Sequence, residues 1–127
     1  MAKKTLLEGD IRAGGQLIEA LDHDGEVINA ALWLYYPDLL QWKLLLVSPS
    51  FEKNGLIQSY TKISEILSNQ KQVDISVADI KILLQSDPLM RLLKGIIHTG
   101  KGLNQIRMTS NMLNGIYVED ALIYRNA

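Results

Sequence analysis

The sequence predicts an α+β protein in which a mixed five-stranded sheet packs with three helices, in the order α-ββ-α-β-α-ββ, within one domain spanning residues 1–127. Two apolar runs between Val27 and Ser48, divided by Pro37-Asp38, predict a central β-hairpin. Apolar residues at helical spacing on either side of this hairpin predict amphipathic helices. Asn114-Gly115, between two further apolar segments, predicts a second hairpin.

The first helix is predicted from Thr5 to about Asp22. Thr5-Leu6-Leu7-Glu8 has the form of a capping box, with Thr5 as N-cap and the Glu8 side chain reaching back. Its inner stripe advances in alternating steps of four and three residues: Leu7, Ile11, Gly14, Ile18 and Leu21. Glycine on this stripe predicts a close approach of the helix to the sheet, and Gly25 is expected as a left-handed C-cap.

The central hairpin is apolar on both faces. One face is expected to carry Val27, Ala31, Trp33 and Tyr35, and the other Ile28, Ala30, Leu32, Leu34 and Tyr36. Because proline cannot adopt the positive φ that a two-residue hairpin turn needs, we expect a longer loop over residues 37–40. That loop pairs Tyr36 with Gln41, Tyr35 with Trp42, and Trp33 with Leu44.

This register makes Trp33, Tyr35 and Trp42 neighbours on one face. The three rings could pack in the core, or they could form a contact surface, since Trp and Tyr are enriched at protein interfaces. Three helices can cover one face of a five-stranded sheet but hardly both. We therefore expect a protein–protein contact near these residues, either with a larger partner or in a homodimer.

The second half of the chain continues with a loop over residues 51–55 and a helix from Gly55 to about Asn69. A short buried strand is predicted from Ile80 to Leu84. Asp87-Pro88 predicts the start of a helix that ends near His98, with Asp87 as N-cap. The inner face of that helix is expected to carry Leu89, Leu93, Ile96 and Ile97.

In the second hairpin, a two-residue turn pairs Ile106 with Ile123 and Met108 with Ala121 on an apolar inner face. The other face mixes polar and apolar residues, so we expect a half-exposed hairpin. These residues are Arg107, Thr109, Asp120, Leu122 and Tyr124.

Two charged residues of this hairpin, Arg107 and Asp120, are diagonal neighbours, which predicts a cross-strand ion pair. Glu119-Asp120 inside a strand is unusual and indicates a bulge, a feature often found near functional positions.

Composition narrows the classes of function. The net charge is −1, and no basic stripe marks a nucleic-acid-binding surface. The chain has no cysteine, and its two histidines, His23 and His98, are far apart, so it offers no ligand set for a structural zinc site and implies no cofactor. No segment approaches the ~20 apolar residues of a membrane span or the apolar run of a signal peptide. We expect a cytoplasmic protein that makes no membrane contact.

One catalytic pattern occurs in short form. Pro37-Asp38 and Asp79-Ile80-Lys81 match the PD…(D/E)-x-K pattern of restriction-type nucleases. In that chemistry, two carboxylates (Asp38 and Asp79) would hold Mg²⁺, and Lys81 would stabilise or deprotonate the attacking water. A predicted helix separates the two halves and Pro37-Asp38 indicates a turn, so a metal-dependent nuclease is kept as the alternative function.

The runs AALWLYYPDLLQWKLLLVSP and NGIYVEDALIYR resemble those of small bacterial proteins that consist of one α+β domain. The resemblance covers most of the chain and implies neither an activity nor a site. The sequence therefore favours a non-catalytic interaction or accessory module over an enzyme.

Overall fold

The computed structural model describes residues 5–70, 75–113 and 115–127, and it confirms the α+β fold. The helices are α1 (Glu8–His23), α2 (Pro49–Asn54), α3 (Leu56–Asn69) and α4 (Pro88–Lys94). The strands are β1 (Ala30–Tyr36), β2 (Gln41–Val47), β3 (Ile80–Ile82), β4 (Ile106–Leu113) and β5 (Ile116–Asn126). A 3₁₀ turn, Val77–Asp79, leads into β3.

The five strands form one mixed sheet in the order β3-β2-β1-β5-β4. The central hairpin, β1–β2, therefore lies inside the sheet, while the second hairpin, β4–β5, places β4 on one edge. β2 and β3 run parallel, and the other neighbouring pairs are antiparallel. α3 lies in the long connection that a parallel pair requires.

The predicted register of the central hairpin is confirmed. Tyr35 pairs with Trp42 and Trp33 with Leu44, around a turn of residues 37–40. Because successive side chains of a strand point to opposite faces, this register assigns every side chain of the hairpin to a face.

The first strand begins at Ala30, and the prediction that it extends back to Val27 is wrong. Val27 is 57% exposed, whereas Ile28 packs with Trp33 and not on the face predicted for it. Alternation cannot assign faces before the strand starts, because the period of two applies only to extended, paired backbone.

The helices divide between the two faces of the sheet. Residues of α1, α2 and α3 pack on the face that holds the three aromatic residues, with Leu17 and Ile63 completely buried there. α4 packs on the opposite face, where Leu93 contributes to a core with Leu32 and Ile123. The expectation that the helices would cover hardly more than one face is therefore wrong, although α4 has only seven residues with which to cover its side.

α1 begins three residues after the predicted N-cap. The backbone N–H of Leu7 donates to the Asp10 carboxylate at 3.2 Å, so Asp10 makes the return contact that was expected of Glu8. Thr5 precedes the helix and does not cap it. At the other end Gly25 has φ 88°, which confirms the predicted left-handed residue after the helix.

A short helix, α2, occupies residues that were predicted as a loop. Ser48 is its N-cap, with its hydroxyl oxygen accepting from the N–H of Ser50 at 3.3 Å, and Pro49 takes the first helical position. Phe51, a residue of this helix, is 2% exposed and its side chain packs in the core. The loop predicted over residues 51–55 is therefore wrong.

β3 and α4 are both shorter than predicted. β3 ends at Ile82 and not at Leu84. α4 starts as predicted, with the Asp87 carboxylate accepting from the N–H of Leu89 at 3.0 Å, but it ends at Lys94 and not near His98. Gly95 follows its last residue, and Ile96, predicted on the inner face, is 52% exposed.

The second hairpin has the predicted register, with Ile106 opposite Ile123 and Met108 opposite Ala121. Asn114 itself lies outside the described residues. The predicted half exposure is wrong for β5, because Leu122 and Tyr124 pack in the core on the α1 side. The exposure is confined to β4 and the end of the hairpin. No helix of the described ranges is both long and apolar enough to cross a membrane.

Candidate interaction surface

The aromatic residues predicted as an interaction site are together on one face of the sheet, but they lie inside the protein. Trp33, Tyr35 and Trp42 are 2%, 2% and 5% exposed. The ring centroids of Tyr35 and Trp42 are 5.4 Å apart, and the Trp33 indole N–H donates to the Tyr124 hydroxyl oxygen at 2.9 Å. The structure therefore does not present these rings to a partner, because the helices on their face already cover them.

The predicted ion pair of the second hairpin lies at the margin of this buried cluster. Arg107 donates two hydrogen bonds to the Asp120 carboxylate, at 2.6 and 2.7 Å, and its guanidinium carbon lies 5.6 Å from the centroid of the Trp42 ring. The Asp120 side chain is 4% exposed, and these hydrogen bonds raise the pKa of Arg107 above its ordinary value. The pair holds a carboxylate inside the fold while keeping the edge strand attached to the aromatic cluster.

The alternation of both strands reverses in the middle of the second hairpin. Met108 and Ala121 pack on the α4 side of the sheet, and so do Leu113 and Val118, although strict alternation would place the last two on the opposite side. The pairing between these positions skips Ser110, which has φ 50°, and Glu119 opposite it. An irregularity therefore lies next to Glu119-Asp120, and it turns the apolar residues at the end of the hairpin toward α4.

A groove of ≈ 410 Å³, here called the tip groove, lies between the end of the second hairpin, the end of β1 and the start of α4. Its apolar lining includes residues of β1, α4 and β5 and the residue that follows β3: Leu34, Tyr36, Leu83, Leu89, Ile116 and Val118. Its volume falls in the range of roughly 300–1,000 Å³ typical of ligand and side-chain pockets. The face swap at Ser110 and the shortness of α4 together leave this groove open.

The groove has few charged groups on its rim. The Lys81 ammonium lies 3.5 Å from the Tyr36 hydroxyl and 5.1 Å from the centroid of the Tyr36 ring, while the Asp87 carboxylate is engaged as the cap of α4. The lining is therefore an apolar floor with one cation and one tyrosine hydroxyl at its edge.

The second hairpin lines this groove through β5, and its other strand, β4, is the most exposed strand of the sheet. None of the eight side chains of β4 is buried. Three large apolar side chains of the hairpin are exposed: Ile106 at 36%, Met112 at 65% and Tyr117 at 51%. Met112 and Tyr117 pair across the hairpin, so two of them form one continuous apolar patch.

The residues of the nuclease pattern have other structural positions. Asp38 lies in the exposed turn between β1 and β2, and the Asp79 carboxylate accepts from the N–H of Ser76 at 2.9 Å at the 3₁₀ turn. Lys81 lies on β3 at the rim of the tip groove. His23 and His98 are exposed. In the part of the chain that the structure describes, no group of three or more His, Asp or Glu side chains could hold a metal ion.

Sequence reasoning missed the tip groove and the Met112–Tyr117 pair. Strict alternation along β4 could not reveal the face swap, because nothing marks Ser110 as a residue with positive φ. The unusual Glu119-Asp120 dipeptide was the one available signal, and it indicated an irregularity at the correct place. The exposure of Met112 and Tyr117 follows from how far the hairpin extends beyond β1, which depends on tertiary pairing.

Comparison with protein-family models, with curated proteins and with solved structures finds no match for this chain.

Proposed function

We propose that the protein is a non-catalytic module that binds another protein through its second hairpin. The observation that carries this proposal is the Met112–Tyr117 pair, which exposes 65% and 51% of two large side chains beside an open apolar groove. Monomeric proteins rarely expose large contiguous apolar patches, and such patches mark sites of protein–protein contact.

The chemistry of the hairpin resembles that of contact surfaces. Met, Tyr and Arg are enriched where proteins meet, and Met112, Tyr117 and Arg107 are all exposed or half-exposed on this one hairpin. An edge strand adds backbone groups that a partner strand can pair with. The groove adds a concave apolar site that Tyr117 and the start of β5 line, on the same hairpin.

The nuclease alternative gains no support from the geometry. Of its two proposed carboxylates, Asp79 is engaged with the N–H of Ser76, and Asp38 lies in a turn at the surface. A cleavage assay with Mg²⁺ or Mn²⁺ is its direct test.

The binding proposal can be tested with two matched double variants. Met112→Glu/Tyr117→Glu places charge on the hairpin patch, and Leu56→Glu/Ile57→Glu places the same charge on two exposed apolar residues of α3, which are 55% and 86% exposed. Tagged wild type and both variants are recovered from cells, and co-purifying proteins are quantified. We expect partners that are retained by the α3 variant and lost by the hairpin variant.

Circular dichroism and thermal melting must show that both variants fold. If a folded hairpin variant retains the same partners as wild type, or if the α3 variant loses them instead, the hairpin is not the binding surface.

A further inference from the structure

Charge is distributed unevenly along the chain. Residues 80–118, which include α4, have five Lys and Arg residues and one acidic residue, Asp87. Residues 8–26, which include α1 on the opposite face of the sheet, have six acidic residues and one Arg. The near-neutral charge of the whole chain, −1, therefore hides two stretches of opposite sign.

Two of the cations of residues 80–118 form a row along α4 that starts at the tip groove. Pro88 lines the groove, and Arg91 and Lys94 follow it at steps of three residues, so all three share the exposed side of the helix. The row extends ~9 Å along the helix axis. A third cation, Lys81, lines the same groove from β3. The groove therefore has cations at its rim and along the helix that leads away from it.

The charges of this row are not neutralised within the fold. In the part of the chain that the structure describes, neither Arg91 nor Lys94 forms an ion pair, and α4 has no acidic residue. The carboxylate of Asp87, at the start of α4, already accepts from the N–H of Leu89 at 3.0 Å. Cations in the last turn of a helix interact favourably with its dipole, so both residues are compatible with a stable α4 and still present their charges to a ligand.

We propose that the partner binds the tip groove through an acidic segment, with one large apolar side chain in the groove and carboxylates on Lys81, Arg91 and Lys94. This inference rests on the proposed function, because the second hairpin lines the groove, and it adds the chemistry of the partner. The apolar floor accepts the anchoring side chain, while the cations attract acidic neighbours and repel a basic segment.

The shape of the site favours a protein segment over the other anionic surface that a cell offers, a membrane with acidic lipids. Proteins that lie on a membrane bury a protruding apolar helix face in it. Here the apolar residues line a concave groove of ≈ 410 Å³, and the exposed side of α4 is the charged one. A single side chain can fill such a groove, whereas the surface of a bilayer cannot.

The chemistry of the partner can be tested by selecting random short peptides, displayed on phage, against the purified protein. We expect the enriched peptides to have a net negative charge and a large apolar residue, and to lose binding when serine replaces that residue. Their affinity should fall about tenfold for Arg91→Glu/Lys94→Glu. Arg12→Glu/Lys53→Glu is the matched control, because it reverses two exposed cations on α1 and α2, and it should bind like wild type.

Circular dichroism must show that each variant folds. If the charge reversal unfolds α4, Arg91→Gln/Lys94→Gln removes the charges without adding acidic ones to the helix end, and it should still weaken binding several-fold.

Three results would overturn the proposal. The selection could enrich no acidic peptides, or the enriched peptides could bind the folded Arg91 and Lys94 variants as tightly as wild type. Wild type could also sediment with vesicles that contain phosphatidylserine while the Arg91→Glu/Lys94→Glu variant does not, which would assign the row to a membrane. In each case the proposed function still stands if Met112→Glu/Tyr117→Glu loses the partners recovered from cells.

Discussion

The hydroxyl oxygen of Tyr124 lies 2.6 Å from the position that a Cβ atom on Gly14 would occupy. Tyr124 accepts a hydrogen bond from Trp33 and donates one to the carbonyl of Ile11, so it connects the sheet to α1 at the point where the two approach most closely. Burial raises the pKa of Tyr124, which keeps its hydroxyl protonated and able to donate. The absence of a side chain at residue 14 makes this contact possible.

Gly14→Ala should therefore destabilise the protein by about 1–3 kcal/mol, because the new methyl group overlaps the Tyr124 hydroxyl. Gly15→Ala is the control, since a Cβ there would meet its nearest neighbour, a Tyr124 ring carbon, at 3.9 Å. That variant should be neutral or slightly stabilising, because alanine favours the helix by about 1 kcal/mol. Urea midpoints measure both, and equal midpoints for the two variants would contradict the close approach of α1.

Arg107→Met should destabilise the protein by about 1–3 kcal/mol, because the buried Asp120 carboxylate loses two charge-assisted hydrogen bonds. Arg107→Met combined with Asp120→Asn should cost less than the sum of the single changes, with a coupling of about 0.5–3 kcal/mol. Arg91→Met, at an exposed position of α4, is the control and should change stability by no more than about 0.5 kcal/mol. If the losses in unfolding free energy of the single variants simply add up in the double variant, the ion pair contributes nothing to stability.

Acid sensitivity should depend on Glu26, whose side chain is 7% exposed. Burial raises the pKa of Glu26, but hydrogen bonds from Lys62 and Ser50 lower it by more, so in the folded protein the pKa lies below its ordinary value. A depressed folded pKa stabilises the protein fully above the ordinary value of ~4.3, and this contribution is lost as the pH falls through the folded pKa.

Glu26→Gln should therefore be less stable than wild type at neutral pH, and the difference should shrink as the pH falls below ~4.3. Urea denaturation at a series of pH values gives both curves. If the difference in unfolding free energy between the two proteins is the same at every pH, the Glu26 charge does not contribute to stability.

Gly115→Val should destabilise the second hairpin, because Gly115 has φ 88° and a β-branched residue resists that conformation. A cost of about 1–2 kcal/mol is expected. Gly102→Val serves as the control, because a Cβ there would enter open space and the residue has no positive φ. Thermal melting that finds the two variants equally stable would mean that residue 115 does not need the left-handed conformation.

The central hairpin was predictable down to its register because its signals are local. Pro37 excludes a two-residue turn, and the register that follows places Trp33 and Trp42 on the same face, because side chains alternate along each strand. The close approach at Gly14 was predictable because a glycine on the inner stripe of a helix leaves room for a neighbour that a side chain would displace. In both cases a short stretch of sequence determines the geometry.

Sequence reasoning missed features of two kinds. In some, one stretch of sequence fits two structures; in others, contacts with distant parts of the chain decide the geometry. Ser48-Pro49 ends a strand and also begins a helix, and only the second role explains the burial of Phe51. Helical spacing continues through Ile96, but this side chain is half exposed and the helix has already ended. The sequence suggested a contact surface at Trp33, Tyr35 and Trp42, and this was wrong because helices of the same chain cover these residues.

The central claim, that the second hairpin is the binding surface, is tested most directly by site-specific photo-cross-linking in living cells. A photoreactive residue at position 117 lies on the hairpin, and the same residue at position 57, which is 86% exposed on α3, is the control for random encounters. We predict a discrete cross-linked product at 117, weakened by Met112→Glu, and none at 57. Equal products at both positions, or a product at 57 alone, would contradict the account.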